Sequence, residues 1–243
     1  MESDSFELRG RNFPKWKREI IDEQEVTFET EEWHTFKIQR KLEIELNSSG
    51  LCLSPFLSFD QYVGSDVPNN IPKLREYVSE FNKKFNSINL YLWSSRNGTQ
   101  KSTIAKIICY ELIKQGKKVQ FVLMGTLLKS LTNENFEDSK SSKFELIDLC
   151  RNADFLVVDD SFDPMKATMY KSGYQLSFLD MFLRQRIEEN RKATCFTSNI
   201  APEEIDSKVF GVSMKALVVR SVPVPMEFND GISDFNPMNL WAD

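Results

Sequence analysis

"LYLWSSRNGTQKSTIAK", residues 90–106, is the stretch on which the fold turns. It begins as a short apolar strand, crosses a polar loop and continues as a helix from Ser102. The loop holds Asn97, Gly98 and Thr99, then Gln100, then Lys101, Ser102 and Thr103. A phosphate-binding loop needs the same order: strand, tight turn with inward backbone N–H groups, lysine, and a hydroxyl where the helix starts. Two positions that the pattern gives to glycine carry Ser95 and Gln100 instead. Asn97-Gly98 supplies a turn that tolerates positive φ. Residues Ser95, Arg96, Asn97, Gly98, Thr99, Gln100, Lys101, Ser102 and Thr103 are therefore expected to cradle phosphate. The lysine would reach the terminal phosphates and Ser102 would face Mg²⁺. Gln100 raises a specific question, because a side chain there crowds the approach of phosphate to the backbone. Read alone, the stretch is also compatible with an ordinary strand-to-helix turn carrying a surface lysine.

Outward from this loop, strands and helices alternate. Leu74, Tyr77, Val78, Phe81 and Phe85 form one apolar face of a helix over 73–85. After the strand 88–93 the pattern predicts a helix 102–116 ended by Gly116, and a strand 118–124. A helix starting at "GTLLKSL" and a short helix 144–152 come next, then a strand 153–160. A helix 174–191, a strand 193–199 and an edge strand within 221–228, demoted by its prolines, complete the series. Strands this apolar, separated by helices this long, specify an α/β fold with a mostly parallel five-stranded sheet flanked by helices.

Two further pieces carry chemistry. "FLVVDD", 155–160, is an apolar run ending in paired carboxylates. An acid at the carboxyl end of a parallel strand faces the crevice where α/β folds bind ligands. Asp159 would complete a Mg²⁺ shell and Asp160 would polarise an attacking water. "TSN", 197–199, ends the next strand, and Asn199 would orient that water. Aspartate and asparagine after strands are also common turn residues. The order of the three pieces is more specific than any one of them.

Composition narrows the remaining possibilities. The chain has 243 residues, 41% of them hydrophobic, and a formal charge of −5. It lacks the overall basic character of a standalone DNA-binding protein. No apolar run approaches the roughly 18 residues of a membrane span, and the first residues carry no apolar signal segment, so a cytoplasmic location is expected. Cys52, Cys109, Cys150 and Cys195 are scattered and His34 is the one histidine, which supports no ordinary zinc site.

Residues 1–50 read as a small N-terminal appendage and 51–243 as the main domain. Arg9, Arg11, Lys15, Lys17 and Arg18 surround Phe13, Pro14 and Trp16, a combination suited to anchoring a partner. Residues 33–46 suggest a helix with an imperfect face, broken at 47–50.

Across about residues 55–235 the chain resembles the P-loop AAA+ ATPases of the DnaC/DnaI helicase-loader type and the related IstB transposition ATPases. The resemblance rests on the helix 73–85, "NLYLWSSRNGTQKST", "GKKVQFVLMGTLLKSL", "ADFLVVDD", the helix 174–191, "ATCFTSNI" and "VPVPMEFNDGISDFN". It implies ATP and Mg²⁺ as cofactors and side-by-side homo-oligomers. Its partners would be a replicative DNA helicase, delivered to single-stranded DNA during replication, or, in the alternative, a transposase. It gives Lys101 and Ser102 the phosphate-loop roles, Asp159 and Asp160 the Walker B roles, and Asn199 the sensor role. The family usually has glutamate where Asp160 stands, one methylene longer. The positions of the family's trans-acting and sensor arginines align with Ser213 and Leu217. Lys215, Arg220, Arg184, Arg186 and Arg191 are the cations available to substitute. These departures imply slow hydrolysis, or nucleotide binding without appreciable turnover. A separate alternative is a nucleotide-insensitive adaptor that keeps the fold and binds a partner through residues 1–50.

Overall fold

The computed structural model describes residues 5–8, 11–21, 24–33, 36–37, 50, 58–61, 69–132, 140–163 and 173–228. They fall into two units, 1–48 and 49–243.

The first unit contains two antiparallel hairpins. Strand β1 (Ser5–Leu8) pairs with β2 (Arg11–Pro14), and β3 (Trp16–Ile21) with β4 (Gln24–Glu29). Thr30 then starts a helical turn: its Oγ1 accepts the Trp33 amide at 3.2 Å and donates to the Pro14 carbonyl at 2.7 Å. Trp33 stacks on Phe36 with centroids 5.4 Å apart, and the Lys15 ammonium sits 4.7 Å from the Trp33 ring. The helix expected over 33–46 falls mostly outside the described residues. The hairpins were not legible in the sequence, where mixed charges interrupt strict alternation.

The second unit is built on a five-stranded parallel sheet. Its strands are β5 (Leu90–Trp93), β6 (Val119–Leu123), β7 (Phe155–Ser161), β8 (Ala193–Ser198) and β9 (Met226–Glu227). Their order is β6-β7-β8-β5-β9, and every pairing is parallel. β8 therefore separates β5, which feeds the loop, from β7, which carries the carboxylates. β9 is an edge strand of only two residues that begins directly after Pro225.

The helices are α1 (Asn70–Ser79), α2 (Lys101–Lys114), α3 (Met124–Thr132), α4 (Lys140–Asn152), α5 (Gly173–Arg184), α6 (Ser207–Phe210) and α7 (Val212–Ser221). Side chains alternate across the sheet. Leu156, Val158, Tyr91 and Phe196 pack with Leu127, Leu179, Leu183 and Leu217 from α3, α5 and α7. Phe155 faces the other way, with the rings of Tyr77 and Phe81 at 6.2 and 6.0 Å. Both faces are covered, which is why the strands read as unbroken apolar runs. Gly116, at φ +75, ends α2 as expected, with its amide on the Ile113 carbonyl and that of Lys117 on the Leu112 carbonyl. Cys109, Cys150 and Cys195 are buried free thiols, and burial pushes all three up, Cys150 to about 12. No helix among the described residues is long and apolar enough to cross a membrane.

Candidate nucleotide site

The carboxyl ends of β5, β7 and β8 open onto one cleft of about 480 Å³. Asn97 to Thr103 line it from the loop and the first turn of α2, Asp159 and Asp160 from β7, and Asn199 from the end of β8. Ser95 and Arg96 do not line it: both side chains are exposed, and Arg96 contributes only its carbonyl. Leu123, Thr197 and Ser198 also border the cleft. Their strand-end positions were the only available sequence signal for them.

The loop folds around its own lysine. Lys101 is buried, and its Nζ donates to the Arg96 carbonyl and to Thr99 Oγ1, both at 3.1 Å. Burial lowers the Lys101 pKa, while the nearby Asp159 and Asp160 carboxylates oppose that shift. Gln100, the residue that caps the amino end of α2, lies in the left-handed region at φ +60, ψ 15, and Gly98 has φ +77. The backbone thus adopts at Gln100 the conformation that glycine provides without a Cβ penalty.

At the cleft floor the Ser102 hydroxyl donates to Asp159 Oδ1 at 2.7 Å. A serine hydroxyl and a carboxylate beside an ammonium form a hard-oxygen donor set that suits Mg²⁺ held partly by phosphate. Among the described residues no group of three or more His, Cys, Asp or Glu side chains could hold a metal without such help. The donors present therefore fit a nucleotide-borne Mg²⁺.

The candidate arginines divide sharply. Arg186 faces no neighbour: it is fully buried. Its guanidinium donates to the carbonyls of Cys150, Arg151, Ala153 and Ala193 and to Thr194 Oγ1, at 2.8–3.2 Å. The reason is a wide helical turn, Gln185–Glu189, that follows α5 and rotates Arg186 inward. Arg184 pairs with Asp180 and Glu188 at 3.0 Å, and its Nη2 reaches the Ser213 hydroxyl at 2.6 Å. A cation from α5 thus lies against one of the two aligned arginine positions; the other, Leu217, is buried. Arg220 pairs with Glu188, and Lys215 donates to the Glu203 carbonyl at 2.5 Å. Arg191 is exposed at the amino end of β8, the opposite end from the cleft.

Sheet order, strand-end crevice and lysine loop together define an α/β domain with a parallel sheet and a candidate phosphate-binding loop at its carboxyl edge. Within that class the chain's likeness is to the DnaC/DnaI helicase-loader family. It is 25% identical over 193 residues to the replicative helicase loader DnaC of Escherichia coli K12, covering 78% of this chain and 73% of that one. A crystal structure of DnaI superposes with a TM-score of 0.55 at 19% identity, covering 71% of this chain and 87% of that chain. AMPPCP-bound DnaA from Aquifex aeolicus superposes at 0.54 with 16% identity, over 72% of this chain and 51% of that one. No protein-family model matches the chain.

Proposed function

We propose that this protein is an ATP-binding helicase loader, acting in the cytoplasm to deliver a replicative DNA helicase to single-stranded DNA. The observation that carries the reading is the meeting of Lys101, Ser102 and Asp159 in one strand-end cleft, in a chain similar to DnaC. The amide groups of Gly98–Thr103 and the start of α2 bind phosphate, and Lys101 turns from Arg96 and Thr99 toward it. Ser102 and Asp159 would hold Mg²⁺, which would supply neutralisation of phosphate charge. Asp160 orients and polarises water, assisted by Asn199.

Hydrolysis is slow in this reading. Asp160 is shorter than the glutamate that the family uses, and Arg186 is committed to the core. Residues 1–50 act as a partner-binding appendage, with Trp16, Ile20 and Phe28 exposed on the β3–β4 hairpin. The working form is a homo-oligomer.

The test is direct. Labelled ATP should bind the wild-type chain and fail to bind Lys101→Ala. The protein should co-purify with the replicative helicase of its host in a manner sensitive to ATP and single-stranded DNA. Equal ATP binding by Lys101→Ala would remove the nucleotide reading, and absence of a helicase complex would remove the loader reading.

A further inference from the structure

The turn that carries the two carboxylates is strained and needs an external support. Asp160 and Phe162 both have positive φ, +58 and +61, and neither is glycine. The register between β7 and β8 shifts between Val158 and Ser161, so the ladder that would fix this backbone is interrupted there. Left-handed backbone at non-glycine residues persists only where surrounding contacts over-determine it.

The Phe162 amide donates to Met124 Sδ at 3.2 Å and the Ser161 hydroxyl to the Val158 carbonyl at 2.7 Å, and two hydroxyls on β8 supply the contacts nearest the carboxylates. The buried Ser198 hydroxyl donates to the Ser161 carbonyl at 2.7 Å. Thr197, also buried, joins both halves of the carboxylate pair. Its Oγ1 accepts the Asp160 amide at 2.9 Å and donates to Asp159 Oδ1 at 2.5 Å. A threonine hydroxyl has one hydrogen. The oxygen receives the Asp160 N–H through a lone pair, and the one hydrogen is directed at Asp159 Oδ1. The same Oδ1 also receives the Ser102 hydroxyl. One side chain therefore fixes the backbone at Asp160 and the rotamer of Asp159.

We propose that Thr197 is a positioning residue for cation-assisted nucleotide binding. It holds Asp159 in the orientation that meets the Ser102 side of the cleft and locks the left-handed turn at Asp160. The inference rests on the nucleotide-site reading above. It assigns to β8 a task separate from that proposed for Asn199, because Thr197 acts through Asp159 and Asp160.

The experiment compares full-length wild type with Thr197→Val and Thr197→Ser, measuring ATP affinity with excess Mg²⁺ and with EDTA. Valine keeps the branched shape but removes donor and acceptor, whereas serine keeps both. Thr197→Val should lose about 10-fold or more in affinity with Mg²⁺. Its affinity in EDTA should stay within about 2-fold of wild type, and Thr197→Ser should restore the Mg²⁺ value. A merely structural role would weaken binding equally in both conditions and overturn the proposal, as would full Mg²⁺-dependent affinity in Thr197→Val. If the valine variant does not fold, Thr197→Cys, a weaker hydrogen-bonding group of similar size, must show the same selective loss. Wild type that fails to bind ATP in either condition overturns the nucleotide-site reading itself. Wild-type binding of ATP with variants that depart from this Mg²⁺-selective pattern overturns only the role of Thr197.

Discussion

Ser102 and Asp159, 57 positions apart, are joined by a single hydrogen bond of 2.7 Å across the floor of the cleft. One residue is the second of α2 and the other sits near the end of β7, so the bond depends on the order of strands in the sheet. Ser102→Ala removes the donor and leaves the helix start intact, since alanine is the better helix former. Its melting temperature should stay within a few degrees of wild type. Its ATP affinity in Mg²⁺ should fall about 10-fold, in keeping with the loss of a hydrogen bond to a charged group and of one oxygen donor. Titration of ATP in Mg²⁺ and in EDTA checks this, and unchanged affinity in Mg²⁺ would exclude the serine from the cation shell.

Lys101 couples affinity to stability in opposite senses. Burial disfavours its charge in the protein without phosphate, so Lys101→Met should leave the melting temperature unchanged or raise it while abolishing ATP binding. The pH dependence has a definite sign. A lysine whose folded pKa lies below 10.5 binds fewer protons when folded than when unfolded in the interval between the two values. Wild type should therefore gain stability relative to Lys101→Met as pH rises through that interval. Thermal melts of the two chains across alkaline pH measure the difference.

Arg186 and Arg184 looked alike in the sequence, two cations on one predicted helix. The wide turn at Gln185–Glu189 breaks that equivalence and places Arg186 against four main-chain carbonyls. Arg186→Met strands those acceptors in the core and should destabilise the fold by about 3–5 kcal/mol. Arg184→Ala removes partly exposed ion pairs and should cost about 1 kcal/mol or less. Denaturant titrations of the two variants would separate a core role from a surface one. Similar costs would contradict the burial of Arg186.

What the sequence revealed and concealed follows from the range of the physics. Apolar runs such as "FLVVDD" disclose buried parallel strands because burial on both faces leaves no room for polar residues. Lys101, Ser102, Asp159, Asp160 and Asn199 could be brought together because all five sit at strand ends or directly after a strand-to-loop crossing. Phase errors within a helix are not visible in a periodic pattern, so Arg186 read as a cation available to substitute for a missing arginine. The segment 207–221 folds as α6 and α7, whose buried Phe210, Met214, Leu217 and Val218 are too few for a strong period. Backbone conformation is hidden as well. Nothing in "VVDDSF" announces two left-handed residues, and the support supplied by Thr197 appears only once β7 and β8 are side by side.

Gln100 is where the sequence departs most openly from a glycine-bearing phosphate loop, and its backbone nonetheless takes glycine's conformation, φ +60. A non-glycine residue in that region costs roughly 1–2 kcal/mol. Gly gives back part of this gain through the greater entropy of the unfolded chain. Gln100→Gly should therefore stabilise the protein by about 0.5–1 kcal/mol. It also removes a side chain that lines the cleft beside the lysine. ATP should bind several-fold more tightly to the variant if that side chain obstructs phosphate. Gln100→Ala isolates the two effects, since it retains the backbone cost while clearing most of the side chain. Tight binding by both variants, with stabilisation only in Gln100→Gly, would identify crowding as the functional consequence of Gln100. Tighter binding by glycine alone would instead place the effect in the backbone.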